Sequence, residues 1–360
     1  MGQPRSTEPD VEALIDAALR GSRVPGIQYV AVDRHGVVCE SHAGDANLSA
    51  RSPMLADTAM MAFSMSKVIT AVAVLQLVER GALGLDDSIS RHIPWQPYGL
   101  DVTVRQLLCH TAGIPNPLPL RWVHAAGNVQ FDERARLDAI LHRHSRVIAA
   151  PGARYAYSNI GYWLLGYIVE AASGTPFAQH VATHVATPLG GHTPAFGYQS
   201  PRGGSQACGY LERYSLLNLL KPWLIDRNLI GEPTGRWVAL REFHADGPAY
   251  GGVIGTASSF ARLLQDQLRE HSALLGEETR ALMQSQQSAG GARIPMTLGW
   301  HMGSLGRTPH FYKEGGGGGF HCMMRLYRDA GLGTVVMTNA TSFNVSRWLD
   351  HADAALLHGS

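Results

Sequence analysis

The sequence has little net charge and no long apolar run. Its 360 residues have a formal net charge of +1 at pH 7, without a block of lysine and arginine. Proteins that bind nucleic acid or anionic membranes are typically basic over a domain or a segment, so we expect neither partner. No run reaches the roughly 18 apolar residues that predict a transmembrane helix. The opening residues, MGQPRSTEPD, contain no apolar signal-peptide core, which predicts a cytoplasmic location.

Cysteine is also sparse. The four cysteines, Cys39, Cys109, Cys208 and Cys322, are far apart in the sequence, and none belongs to a CxxC pair. In a chain without an export signal, this spacing predicts free thiols in a reducing compartment.

Several short catalytic motifs are missing. The chain has no GxSxG, which argues against the nucleophile elbow of an α/β-hydrolase. It has neither the HExxH of zinc peptidases nor a Walker A phosphate loop. His180 and His184 are four residues apart in HVATH, a helical spacing that can hold a metal, but no third ligand is evident. We therefore expect ordinary helix histidines, no metal and no cofactor.

The chain contains enough apolar residues for a large core, since 45% of its residues are hydrophobic and 16% are charged. The segment 27–42 has the pattern of a β-hairpin around the turn DRHG, and a second hairpin is predicted at 320–339 around RDAG. Apolar periodicity predicts helices elsewhere, at 11–19, after Ser64, at 161–172, at 258–268 and at 345–357.

Strands are thus predicted toward both ends of the chain, with helical segments between them. The economical arrangement is an α+β fold, in which one antiparallel β-sheet is flanked by helices from both chain termini and a mostly helical lobe is inserted. We predict one unit over residues 1–360. Its α/β lobe comprises 10–58 and 246–358, and its helical lobe comprises 59–245.

The segment AFSMSKVITAVAVLQLVERG is apolar on nearly every side, which predicts a buried helix. Its first turn nevertheless contains Ser64, Ser66 and Lys67. Ser64 and Lys67 are three residues apart, so they share one helix face and can form a hydrogen bond. Burial lowers the pKa of a lysine, which would allow Lys67 to take the proton of a nucleophilic Ser64. The alternative is a serine at the helix start followed by a lysine that reaches the surface.

A second pattern is YAYSNIGYWLLG, in which Tyr157 and Asn159 precede a buried helix. A phenol near lysines can have a lowered pKa and act as a base. An asparagine offers both a donor and an acceptor to a substrate amide or carbonyl. Alternatively, Tyr157 is a packing aromatic and Asn159 is a helix cap.

The third pattern is YKEGGGGGFHCMM, in which Lys313 and Glu314 precede the five glycines 315–319 and a predicted strand. Glycine weakens the interior of a strand, but it lets a ligand lie against the backbone. A backbone N–H group at such a place can complete an oxyanion hole. The alternative is a flexible glycine loop.

Ser-x-x-Lys, Tyr-x-Asn and Lys-x-Gly, in this order, resemble the motifs of the serine β-lactamase and penicillin-binding protein superfamily. Within it the chain is most similar to class C β-lactamases, D-Ala-D-Ala carboxypeptidases and esterases of β-lactamase fold. The similarity extends to GALGLDDSISRHIP, TVRQLLCHTAGIP, PGARYAYSNIGYWLLGYIVEAASG, VATPLG, YGGVIGTASSFARLL and LGW. It covers most of residues 60–339, with gaps at 116–149 and 196–246, where we expect this chain's own substrate loops.

The resemblance implies a catalytic role for three residues. Ser64 matches the nucleophile, and Lys67 matches its base partner. Tyr157 matches a second base, which passes the proton to the leaving group.

The resemblance also implies the residues that hold the substrate. Asn159 matches a contact to a substrate amide. Lys313 matches a cation that steadies Tyr157 and a substrate carboxylate, and Gly315 belongs to the same substrate-binding strand. The oxyanion hole would consist of the backbone N–H groups of Ser64 and Gly316.

Two positions depart from the usual pattern of this superfamily. Esterase-type members often have His or Trp at the position of Lys313. True β-lactamases usually have Lys-Thr-Gly, whereas this chain has Glu314 in the middle. Strand alternation predicts that Glu314 faces away from Lys313. His110, in the family-like loop CHTAG, is expected to be structural.

The resemblance implies a serine hydrolase that acts through a Ser64 acyl-enzyme on a small-molecule ester or amide, as an esterase, amidase, D-aminopeptidase or weak β-lactamase. An alternative is a cytosolic acyltransferase or ester–amide exchange enzyme of small-molecule biosynthesis, which passes the acyl group to an amine or alcohol. A third is a non-catalytic ligand-binding protein. The sequence does not decide among acyl groups, acceptors or oligomeric states.

Overall fold

A computed structural model describes residues 8–21, 23–118, 121–190, 195–199, 205–214 and 226–358 of the chain. Its α-helices are α1 (Glu8–Arg20), α2 (Ser66–Glu79), α3 (Val104–Leu108), α4 (Glu133–Arg143), α5 (Asn159–Ser173), α6 (Phe177–Val181), α7 (Thr187–Gly190), α8 (Pro248–Gly251), α9 (Ala257–Leu268), α10 (Glu277–Met283) and α11 (Val345–His358). Short 3₁₀ turns lie at Phe63–Met65, Ile89–Arg91 and Arg227–Leu229, and a π-helical turn, Ala182–Ala186, joins α6 to α7.

The strands are short except in the main sheet. They are β1 (Gly26–Val32), β2 (Val37–Asn47), β3 (Ser52–Pro53), β4 (Met60–Met61), β5 (Val123–Ala125), β6 (Phe196–Gly197), β7 (Tyr210–Glu212), β8 (Ile230–Thr234), β9 (Trp237–Leu240), β10 (Phe243–Ala245), β11 (Ile254–Gly255), β12 (Ser288–Ala289), β13 (Ala292–Arg293), β14 (His301–Leu305), β15 (Thr308–Gly317), β16 (Phe320–Tyr327) and β17 (Leu332–Thr338).

Both ends of the chain build one seven-stranded sheet, in the order β14-β15-β16-β17-β1-β2-β3. All of its neighbouring strands are antiparallel. The two ends of the chain meet where β1 pairs with β17, with Ile27 opposite Thr338. The predicted hairpins at 27–42 and 320–339 are confirmed as β1–β2 and β16–β17.

Helices cover both faces of this sheet. Successive residues of β1 belong to different core clusters, because side chains alternate between the faces of a strand. Tyr29 packs on one face with α11, where the ring of Trp348 lies 5.2 Å from its own. Val30 and Val32 pack on the other face, where Leu264 of α9 belongs to the same cluster. The predicted α+β architecture, with helices from both termini against an antiparallel sheet, is therefore confirmed.

The segment between these strands is built around α2 and α5, which pack against each other. Every residue from Ser66 to Leu77 is buried, so the prediction of a buried apolar helix is confirmed. The helix predicted at 161–172 is confirmed as α5. This part of the chain also contains strands, including the sheet β7-β9-β8 and the pair β5–β10. The predicted lobe boundaries stay a prediction.

The prediction that the cysteines form no disulfide bonds agrees with the structure. No disulfide joins Cys39, Cys109, Cys208 or Cys322 in the described part of the chain. Among the described residues, no helix combines the length and the apolar character that crossing a lipid bilayer requires.

A buried ionic network fixes α11 to the sheet. The guanidinium of Arg325 in β16 lies 3.1 Å from Asp353 Oδ2 and 2.8 Å from Asp350 Oδ1. Tyr327 donates a hydrogen bond of 2.7 Å to Asp353 Oδ2. The side chain of Asp353 is fully buried, whereas 46% of the Asp350 side chain is exposed. Arg325 thus has one buried and one exposed acidic partner.

We expect Asp353→Ala to lower the free energy of unfolding by about 3–5 kcal/mol, because Arg325 would lose its buried partner and keep a buried charge. Asp350→Ala removes the exposed partner of the same guanidinium and is the matched control, with an expected loss of about 1 kcal/mol or less. Urea unfolding of both variants measures the difference. Equal losses in the two variants would show that burial of the Asp353 carboxylate does not determine how much it contributes to the free energy of unfolding.

Candidate active site

Ser64 lies in a strained turn directly before α2. The sequence predicts it in the first helical turn, but the structure places it in the 3₁₀ turn Phe63–Met65, and α2 begins at Ser66. Phe63 has a φ of 44°, a left-handed conformation that bulky residues rarely adopt. Its ring packs against that of Phe243, with 6.4 Å between centroids. Backbone strain of this kind concentrates at functional sites.

Lys67 is fully buried beside Ser64, so the alternative of a lysine that reaches the surface is wrong. Its amine lies 3.0 Å from Ser64 Oγ. It also lies 2.7 Å from Asn159 Oδ1 and 2.7 Å from the backbone carbonyl of Tyr250. Burial, and then the positive charge of Lys313, lower the pKa of Lys67 well below its ordinary value. The site therefore favours a neutral amine next to the hydroxyl of Ser64.

Tyr157 contacts Ser64 from the other side. Its phenol oxygen lies 2.8 Å from Ser64 Oγ. The amines of Lys67 and Lys313 lie over its ring, 5.1 and 5.6 Å from the centroid. Burial raises the pKa of Tyr157, and the hydrogen bond with Ser64 offsets this only in part. The prediction of a lowered phenol pKa is wrong, because the loss of solvent outweighs the hydrogen bond with Ser64.

Asn159 fastens Lys67 and does not cap the helix. The cap of α5 is Ser158, whose hydroxyl accepts a hydrogen bond of 3.1 Å from the backbone N–H of Gly161. The side-chain oxygen of Asn159 accepts from Lys67, and its backbone N–H donates to Asn116 Oδ1 at 3.0 Å. The alternative of Asn159 as a cap is therefore wrong, and its predicted substrate contact stays a prediction.

Lys313 of β15 places a buried amine beside the ring of Tyr157. Its side chain is fully buried, and its amine has no hydrogen-bond partner within the described part of the chain. Burial lowers the pKa of Lys313 to about 7. Glu314 faces the opposite side of the strand, with 44% of its side chain exposed, and lies 2.6 Å from His321 Nε2. The prediction from strand alternation is confirmed, so Glu314 does not oppose Lys313 within the site.

The glycine run brings β15 against the Ser64 turn. A Cβ atom on Gly315 would lie 2.1 Å from the carbonyl oxygen of Ala62 and 2.9 Å from the backbone nitrogen of Ser64. Such distances exclude any side chain, so only glycine permits this approach. Gly316 follows on the strand and pairs with His321. Its place in an oxyanion hole stays a prediction.

The sequence interpretation missed several groups that shape the site. The carbonyl of Tyr250 left no signal, because every residue has a carbonyl. Asn116 lies in a segment without a motif. His301 stacks near Tyr157, with 6.2 Å between ring centroids, and its Nε2 lies 3.1 Å from the hydroxyl of Tyr155. The motif LGW immediately precedes His301, and it is the feature of the sequence that could have drawn attention to this histidine.

The structure also places three histidines for which the sequence predicts ordinary structural roles. His110 is buried, with its ring 4.3 Å from that of Tyr157, and its Nδ1 accepts a hydrogen bond from the N–H of Ser158. This position behind Tyr157 agrees with the expected structural role. The rings of His180 and His184 lie 4.6 Å apart. No group of three potential ligands that could hold a metal ion occurs among the residues described.

The predicted catalytic residues therefore form one connected group. Ser64 Oγ lies within hydrogen-bond distance of both an amine and a phenol. A hydroxyl that is flanked by a base and a second proton carrier is the arrangement that nucleophilic catalysis requires.

Comparisons with known proteins show the family to which the chain belongs. The family model of Beta-lactamase matches residues 11–358. Esterase EstB of Burkholderia gladioli is 37% identical over 199 residues, which span 50% of this chain and 49% of that esterase. The chain thus matches about half the length of this curated relative.

Two solved structures have the same fold. The D-amino acid amidase of Ochrobactrum anthropi SV3, complexed with L-phenylalanine amide, has a TM-score of 0.82 and 19% identity, covering 98% of this chain and 99% of that one. EstCE1, described as a hydrolase with promiscuous acyltransferase activity, has a TM-score of 0.71 and 20% identity, covering 98% and 99%. Because the family model matches nearly the whole chain, this protein belongs to the Beta-lactamase family.

Proposed function

We propose that this protein is a serine hydrolase that cleaves a small ester or amide through an acyl-enzyme on Ser64. The observation that supports this most directly is the position of Ser64 Oγ, 3.0 Å from the Lys67 amine and 2.8 Å from the Tyr157 hydroxyl. The similarity to esterase EstB supports an ester as substrate.

The protonation states set a direction for proton transfer. A neutral Lys67 has two N–H bonds and one lone pair. Its two N–H groups match the carbonyl oxygens of Asn159 and Tyr250, at 2.7 Å each, which leaves the lone pair for the hydroxyl proton of Ser64. Tyr157 has a raised pKa and so keeps its proton, which it can donate to Ser64 Oγ.

Acylation then follows in balanced steps. Ser64 Oγ bonds to the substrate carbonyl carbon while its proton moves to Lys67, and the carbonyl oxygen becomes an oxyanion. When the intermediate collapses, the carbon–leaving-group bond breaks and Tyr157 donates a proton to the departing alcohol or amine. The proton on Lys67 then passes to the Tyr157 phenolate, so both groups are neutral again in the acyl-enzyme. In the second half, water attacks the acyl carbon while one of its protons moves to Lys67. The bond between the acyl carbon and Ser64 Oγ then breaks, Oγ takes a proton from Tyr157 that Lys67 replaces, and the acid is released.

Strand β15, together with Ser64 and Asn159, would supply the remaining contacts of the proposed reaction. The backbone N–H groups of Ser64 and Gly316 would bind the oxyanion, and loss of one such donor typically costs about 100- to 1000-fold in rate. Lys313 and Gly315 would line the substrate, and Asn159 would contact a substrate amide. The buried amine of Lys313 has no hydrogen-bond partner among the residues that the structure describes, which suits an anionic or carbonyl group of the substrate.

The acyl-enzyme is tested by intact mass spectrometry. We expect p-nitrophenyl acetate and a fluorophosphonate to add one acyl or phosphonyl group to the native chain and none to Ser64→Ala, because only Ser64 adjoins Lys67 and Tyr157. Ser66→Ala is the matched control, since it removes a hydroxyl from the same segment. The Ser66 hydroxyl accepts a hydrogen bond from the backbone N–H of Val253 and is not predicted to be the nucleophile. An equal adduct on Ser64→Ala would contradict the proposal. Adding an amine acceptor distinguishes hydrolysis from acyl transfer.

The pH dependence tests the base. We expect kcat/KM for the uncharged p-nitrophenyl acetate to rise with pH through a pKa well below that of free lysine, since neutral Lys67 is the active form. A charged Lys313 lowers the pKa of Lys67, so Lys313→Met should raise the pKa of Lys67. The rising limb of the plot of kcat/KM against pH should then move to higher pH by roughly one unit.

The control for this experiment is Arg91→Met, which removes an exposed positive charge outside the site and should leave the limb in place. An unchanged limb in Lys313→Met would mean that the two amines do not interact.

A further inference from the structure

The five glycines 315–319, beside Ser64, have no side chains that neighbouring residues could contact. Residues 315–317 end β15, and Gly318 and Gly319 form the turn into β16. Glycine loses more conformational freedom on ordering than any other residue. The proposed reaction, on which this inference rests, nevertheless requires the backbone of Gly316 in a fixed place. Pairing of residues 315–317 with β16 orders this backbone, and side chains that flank the run add to that order.

Glu314 and His321 flank it on the outer face of the sheet. Gly316 pairs directly with His321, and Glu314 lies two residues before it, on the same face of β15. The Glu314 carboxylate reaches diagonally across to His321 Nε2, at 2.6 Å. A Cβ atom on Gly316 would lie 3.2 Å from His321 Cδ2, so the imidazole covers this glycine. The bridge between the two side chains thus ties β15 to β16 at the level of Gly316.

The other side of the imidazole is also held. His321 Nδ1 lies 2.5 Å from the backbone carbonyl of Phe343, in the loop that follows β17. A carbonyl oxygen only accepts hydrogen bonds, so Nδ1 has a proton. One further proton lies in the contact between Nε2 and Glu314. The His321 ring is therefore fixed from both ends, by Glu314 on β15 and by Phe343 beyond β17.

From this arrangement we propose that Glu314 and His321 are positioning residues, which clamp the glycine strand so that the N–H of Gly316 stays aligned with Ser64. They contact neither Ser64 nor Lys67 and act through the backbone of Gly316. Partly exposed ion pairs contribute little to global folding stability. We therefore expect the clamp to act on the local order of the glycine strand, and through it on the rate of the reaction.

Three variants test the clamp with p-nitrophenyl acetate. Glu314→Ala and His321→Ala should each lower kcat roughly 10- to 100-fold with little change in KM, because a misplaced oxyanion donor weakens transition-state binding. Glu314→Gln should retain most of the native kcat. Its amide can donate to Nε2 while Nδ1–H still donates to Phe343, so the bridge survives without its charge.

The matched control is His92→Ala. It breaks another histidine–carboxylate contact, of 3.3 Å with Asp87, outside the site and should leave kcat unchanged. The double variant of Glu314 and His321 should be no slower than either single variant. A native kcat in Glu314→Ala would overturn the proposal. An equal loss in Glu314→Ala and Glu314→Gln would also overturn it, since the charge would then matter and the bridge would not.

Hydrogen–deuterium exchange gives a second readout that does not need turnover. Peptides that contain Gly315–Phe320 should exchange faster in Glu314→Ala and His321→Ala and at the native rate in Glu314→Gln. Unchanged exchange in both alanine variants would refute the clamp. If the native chain gives no adduct on Ser64, the proposed hydrolase function fails, and the exchange experiment still decides whether the clamp exists.

Discussion

The burial of the Lys67 amine is the requirement around which the site is organised. A buried amine must have partners, and here they come from segments far apart in the sequence. Asn159 at the start of α5 and the carbonyl of Tyr250 in α8 each lie 2.7 Å from it, and Ser64 lies 3.0 Å away. Placing one nitrogen therefore fixes α2, α5 and α8 relative to the turn that contains Ser64.

A steric constraint acts on the other side of Ser64. The sheet reaches this turn only because Gly315 has no side chain, since a Cβ would lie 2.1 Å from the carbonyl oxygen of Ala62. The thiol of Cys322 lies next to this contact, where it donates to the backbone carbonyls of Ala62 and Gly315 at 3.2 and 3.3 Å. Phe63, in the same turn, has a positive φ, which is a strained backbone conformation next to this close contact. Strand β15 thus contacts the turn that contains Ser64, directly before α2.

The sequence predicted the features that depend on the spacing of residues along a helix or strand. It missed the features that depend on burial in the folded protein. The hairpins, the buried helix after Ser64 and the outward face of Glu314 follow from periods of 2 and 3.6, which a sequence displays directly. The pairing of Ser64 with Lys67 follows from their spacing. The carbonyl of Tyr250 is invisible in a sequence, because every residue has one. The direction of the Tyr157 pKa was wrong because desolvation depends on the assembled core.

Burial acts in opposite directions on the two groups that flank Ser64, and this asymmetry gives the site its chemistry. Desolvation disfavours charge, so it lowers the pKa of Lys67 and raises that of Tyr157. A neutral amine accepts a proton and a neutral phenol donates one, so one environment prepares both a base and an acid. Lys313 strengthens the asymmetry, because its positive charge lowers the pKa of Lys67 further. Desolvation and a second amine thus act in the same direction on the group beside Ser64, and both disfavour a proton on it.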